Sequence, residues 1–216
     1  MFSNTMNSFK GILLIGLMLI IGACAREEEN VINAAENADA HASNIISEFN
    51  TIKEEEANLQ NQFTEALNND EELESFQNQS APVFQNLENR QAALETIRSQ
   101  TNELKNTYTN VQELNFDALD RESVTAMHED MQAAIDQLET YINEYEPLLQ
   151  AQTDYFTSLS GPEADYESFI RGIQEMAEQD QRLIEIEQTL NKVLVELDAS
   201  ATAALETAQD QLDGGN

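Results

Sequence analysis

The chain has no tryptophan, one cysteine, two histidines, three prolines and only ten basic residues among 216. Each shortage excludes something. Ten Lys and Arg face 41 Asp and Glu, a formal net charge of −31. Nucleic-acid binders meet a polyanion with basic patches, and this chain has no basic cluster, so nucleic acid is excluded as a partner. The same charge disfavours direct adhesion to anionic lipid headgroups. Cys24, the lone cysteine, has no partner for an intramolecular disulfide. His41 and His128 stand in no metal-ligand spacing with Cys or another His. Neither follows a Glu three residues earlier, as the di-metal carboxylate sites of helical bundles require. Both read as surface residues. A phosphate-binding glycine loop is missing too. The expectation is a protein that is not an enzyme and that uses no metal or cofactor.

The first 24 residues are organised differently from the rest. Lys10 and the amino terminus supply positive charge, and Gly11 to Ile21 is an apolar or glycine run. Ile21-Gly22-Ala23-Cys24 follows. A cationic start, a short apolar core and small residues before a cut make a secretory signal. The uncharged run from Gly11 to Ala25 is 15 residues, against about 20 for a spanning helix. The ending resembles the lipobox of bacterial lipoproteins, formed here by Ile21, Gly22 and Ala23. That resemblance implies that Cys24 is lipidated and becomes the first mature residue, holding the protein on the outer face of the cell membrane. The expected layout is a signal peptide over 1–23, a lipidated Cys24 with a short tether over 24–30, and one domain over 31–213. Loss of residues 1–23 takes Lys10 with it, leaving 9 − 41 = −32.

Glycine and proline are scarce beyond this point, and long segments contain no helix breaker. Read at alternating steps of four and three, apolar residues recur from Val31 through Ile45 and Ile52 to Ala66, interrupted only by Glu56. That spacing lays one seam along a helix. Three more seams run from Leu73 to Val111, Val124 to Leu159 and Tyr166 to Ala208. The turns between them are Asn68-Asn69-Asp70, residues 115–120, and Ser160-Gly161-Pro162. The predicted helices are about 31–67, 71–114, 121–159 and 163–212. Pro82 either kinks the second or marks a later start, and Pro147 predicts a kink in the third. No period-two segment of useful length appears, so no sheet is expected. The fold class is all-α: an elongated up-and-down antiparallel bundle of four long helices with coiled-coil-like packing. A three-helix bundle with an N-terminal helical stalk is the alternative.

Two ends are distinguishable. Ala35, Ala38 and Ala42 open the first seam, and Ala201, Ala204 and Ala208 close the fourth. Up-and-down order puts both sets at the end near Cys24. Residues 54–84 and 146–176 flank the two distal turns and hold seven of the 12 aromatics after Cys24. These aromatics fill a wide core end or form a binding surface of Tyr155, Phe156, Tyr166 and Phe169. Seam spacing sends Tyr155, Tyr166 and Phe169 inward and leaves Phe156 exposed. Glu56, Arg90, Asp180 and Glu187 fall on seam positions. A Glu56–Arg90 pairing between the first two helices is open, beside a plainer reading of local polarity at a loosely packed or exposed stretch.

The segment Leu138-Glu-Thr-Tyr141-Ile-Asn-Glu-Tyr145-Glu-Pro-Leu148, continuing to Asp154-Tyr155-Phe156, resembles the YkyA-type cell-wall binding lipoproteins of Gram-positive bacteria. Glu74 to Gln91 is similar in its run of Phe, Leu and Glu. The resemblance covers essentially the whole chain. It implies a non-catalytic, membrane-anchored extracytoplasmic lipoprotein that binds or spaces cell-wall or envelope components. The alternative is an interaction subunit docking to an envelope or membrane protein complex. The implied partners are the membrane, through the lipid on Cys24, and a cell-wall polymer or envelope protein. The family is rich in lysine as well as glutamate, whereas this chain has four lysines.

Overall fold

The computed structural model describes the backbone of residues 6–114 and 121–214, with their side chains apart from those of 6–26, 121 and 180. The elements are α1 (Met6–Asn69), α2 (Glu74–Gln77), α3 (Pro82–Gln112), α4 (Arg121–Ser158) and α5 (Tyr166–Gly214), with no strand among the described residues. The fold is the expected elongated bundle of four long helices, and α2 is a single turn. α1 lies against α3 and α5, α4 lies against the same two, and the diagonal pair α1–α4 barely touches. Four antiparallel helices in ring order α1–α3–α4–α5 satisfy that pattern. α5 has 49 residues, about 73 Å at 1.5 Å per residue.

The helix limits differ from the sequence expectation at three places. α1 is already helical through 24–30, where a tether was expected. The second long helix starts at Pro82 instead of near 71, because Ala81 is extended (φ −62°, ψ 144°) and proline at N1 is pre-set for a helix start. Between Asn69 and Pro82 the chain makes the short α2. Asp70 caps it, accepting from the backbone N–H of Ser75 at 2.6 Å and Glu74 at 3.1 Å. α5 starts at Tyr166, three residues later than expected. Asp165 and Ser168 exchange bonds there: Ser168 N–H donates to Asp165 Oδ1 at 2.7 Å, and Asp165 N–H to Ser168 Oγ at 2.9 Å. This reciprocal arrangement satisfies two amides that the helix start leaves without a partner. α4 runs on through Pro147 to Ser158.

Buried seams converge on one continuous core. α4 contributes Met127, Met131, Ala134, Leu138, Tyr141 and Tyr145, all fully enclosed. Ala35, Ala38, Ala42, Ala201, Ala204 and Ala208 are buried as well. A contact of 2.6 Å between Lys53 Nζ and Glu187 Oε1 sets the antiparallel register of α1 and α5, which brings the two alanine sets to the same level. Small side chains there let the helices approach closely.

Candidate functional site

The end of the bundle distant from the alanines is built from rings. Phe63 of α1 sits at the centre, 5.3 Å from Phe156, 6.0 Å from Phe76, 6.2 Å from Phe169 and 6.4 Å from Tyr155, centroid to centroid. Phe84 joins through Phe76 and Phe156. Six of the seven distal aromatics therefore form one interlocked cluster, which supports the core reading of this end.

The expected exposure of two site residues is reversed. Phe156, expected at the surface, is 1% exposed, and Tyr166, expected inward, is 80% exposed. The reason for the first lies in helix geometry. A straight helix has 3.6 residues per turn, so a strict 3.5-residue seam drifts off its face. The buried positions at the end of α4 run Leu148, Gln152 and Phe156, two successive steps of four, where the seam reading had turned to Tyr155. Tyr166 is the first residue of α5, one turn short of Phe169, where the helix first meets the ring cluster. Tyr155 and Phe169 are half-buried. The Tyr155 hydroxyl donates to the Phe169 carbonyl at 3.2 Å, and burial pushes its phenol up to about 12. Tyr155, Phe156 and Phe169 are thus brought together, and Tyr166 stands outside them. Cys24 and the Ile21-Gly22-Ala23 segment lie outside the residues whose side chains are described.

Beside the ring cluster, a cleft of about 600 Å³ opens between α1 and α5. Phe63, Leu67, Phe169, Ile173 and Met176 supply its apolar wall, and Gln60, Thr64 and Asn68 its rim. A smaller cavity of about 250 Å³ adjoins it, sharing Glu56, Leu59 and Gln152 and adding Lys53, Arg90 and Glu187.

The seam polarity at these positions is not a loosely packed stretch. Arg90 is 0% exposed and ties three helices together. Its Nε donates to the Tyr145 hydroxyl at 2.8 Å and its Nη1 to Gln152 Oε1 at 2.8 Å. The Tyr145 hydroxyl in turn donates to Glu56 Oε1 at 2.7 Å, and that oxygen is 3.7 Å from Arg90 Nη2. The Glu56–Arg90 pairing is therefore real and relayed mainly through a tyrosine. Lys53 bridges Glu56 at 2.9 Å and Glu187 at 2.6 Å, bringing α5 into the same layer. Burial pulls the Lys53 ammonium down, and the hydrogen bonds it donates to Glu187 and Glu56, with their charges, outweigh that pull, leaving it above its ordinary range. Burial pushes the Tyr145 phenol well up, so it stays neutral and available as a donor. Arg90, buried between α1, α3 and α4, fixes their register, because sliding one of them by a turn strands its charge. Sequence spacing could flag Glu56, Arg90 and Glu187, but Tyr145 reads as an ordinary apolar seam residue and its role was missed.

Both histidines are half-buried. His41 Nδ1 is 2.7 Å from Gln100 Oε1. The His128 ring stacks on Tyr108 at 4.2 Å, with its Nε2 enclosed and unpartnered.

No curated protein and no solved structure matches the chain. The sequence model of the YkyA family, described as "Putative cell-wall binding lipoprotein", matches residues 26–206. That span takes in α3 and α4 whole, most of α1 and α5, the charged layer and the ring cluster, and on it the chain belongs to the YkyA family.

Proposed function

We propose that this protein is a non-catalytic lipoprotein, held on the outer face of the cell membrane by a lipid on Cys24, whose bundle binds or spaces cell-wall material. The family match over residues 26–206 carries the reading. It starts two residues after Cys24, where a lipidated protein would begin. Residues 1–23 are the signal, and Ile21, Gly22 and Ala23 the lipobox. The polyanionic surface is repelled by anionic headgroups, so the rod stands away from the bilayer instead of lying on it. From residue 27 to Asn69, α1 covers about 63 Å, which carries the distal end into the wall layer. Phe156 is buried and Tyr155 half-buried in the ring cluster, and Tyr166 is the exposed aromatic offered there to a sugar face.

Two measurements test the two halves. Mass spectrometry of the full chain purified from membranes should find an acylated Cys24 as the first residue. An unmodified Cys24, or a retained 1–23 segment, overturns the anchor. Sedimentation of the detergent-extracted chain with purified sacculi tests the wall half.

A further inference from the structure

α5 carries a second row of residues besides its buried seam. Ile173, Ile184 and Val195 are spaced by eleven, three helical turns, and so share one face. They are 39%, 47% and 60% exposed. Ile173 lines the α1–α5 cleft and Ile184 the adjoining cavity beside Lys53, which fixes this face as the one turned toward α1. On α1, Ile46 is one heptad before Lys53 and is 41% exposed, so it lies on the same side. Four of the five exposed large apolar residues among those described therefore line up along one side of the rod.

That side is also free of unpaired charge along α5. The positions between the aliphatics at steps of three and four are Ala177, Gln181, Gln188 and Asn191, with Ile170 before them. These eight positions between 170 and 195 hold no charged residue, whereas the other 18 in that stretch hold eight. The charged group on this face, Lys53 with Glu56 and Glu187, is internally paired.

We propose that the outer α1–α5 face is a self-association surface on which a second copy of this chain docks, burying the cleft. Charge selects the occupant's approach. Two chains of net charge −31 repel over most of their surface, and this face is where they can meet with least repulsion. The spacing fits a helical partner, since aliphatics and carboxamides at steps of three and four form a coiled-coil-type row. The area fits a dimer. The row from Ile170 to Val195 is about 38 Å long and two helices are about 20 Å wide, giving about 750 Å² per copy, close to the roughly 800 Å² of a standard interface. A twofold axis places the same row opposite itself, as isologous dimers require. The surface is independent of Tyr166 and of wall binding.

Sedimentation of the full chain in detergent, across a range of protein concentrations and salt, tests it. The wild type should be a dimer whose dissociation constant falls as salt rises, because screening removes repulsion. The triple variant Ile173→Glu, Ile184→Glu, Val195→Glu should be monomeric with unchanged helix content. The triple variant Gln85→Glu, Ser99→Glu, Asn102→Glu on the exposed face of α3 should leave the dimer intact. A wild type that stays monomeric in high salt overturns the proposal, as does a dimer that survives the α5 triple variant. If that variant loses helix, the salt dependence of the wild-type dimer decides.

Discussion

Tyr141 and Tyr145 stack 5.1 Å apart, one turn from each other on α4, and their hydroxyls meet different surroundings. Tyr145 bonds Arg90 and Glu56, while the buried Tyr141 hydroxyl has no partner. A buried polar group without a partner costs about 1–3 kcal/mol, and removing it recovers part of that. Tyr141→Phe should therefore raise stability by about 1 kcal/mol. Tyr145→Phe should lower it by about 1–3 kcal/mol, because Arg90 Nε is left unsatisfied. Urea unfolding followed by circular dichroism reads both, and equal signs for the two would contradict the assigned network. Arg90→Ala should cost more, about 3–5 kcal/mol, since it empties a fully buried site and takes a partner from Tyr145 and Gln152.

His128 gives a pH test at the same scale. Burial lowers its pKa, against a smaller opposing pull from Glu129. A depressed imidazole binds its proton in the unfolded chain first, so its contribution favours folding above the ordinary value of 6.5 and is lost as pH falls below it. The melting temperature of the wild type should drop relative to His128→Gln between pH 7.5 and 5.5. A constant difference across that range would remove the histidine from the account.

At the scale of elements, the four seams were legible because a packed helix must repeat its apolar face every three or four residues. The start of α3 was only half legible. Pro82 marked it, but the left-handed Leu73 (φ 55°) and Gln79 (φ 58°), which shape the segment around α2, are not residues that favour that conformation. The exposed row on α5 was hidden because half its members are carboxamides or alanine, which no hydrophobic pattern selects. Gly172 shows how tertiary packing overrules local propensity. Glycine inside a helix costs about 1 kcal/mol against alanine, so replacement should help. Here a Cβ on Gly172 would lie 2.1 Å from the Tyr155 ring, so the ring must move. Gly172→Ala should instead destabilise by about 1–3 kcal/mol. Thermal melts decide the sign, and a stabilised variant would mean that Tyr155 does not pack on α5 as described.

At the scale of the molecule, three regions divide the labour along the rod. The alanine end packs small buried side chains of α1 and α5 and follows Cys24 in the chain. The charged layer near the middle locks the four helices in register. The ring cluster closes the distal end, with Tyr166 left outside it. Since 41 acidic groups face ten basic ones, the charge of this chain cannot draw it to an anionic polymer. The proposed wall binding therefore rests on uncharged contacts. The measurement that bears most directly on this is retention of the detergent-extracted full chain on purified sacculi as salt is raised. Retention at low salt that holds or increases at high salt is the predicted result, because screening weakens only the repulsion. A chain that stays in the supernatant at every salt concentration, or that salt releases, would contradict it.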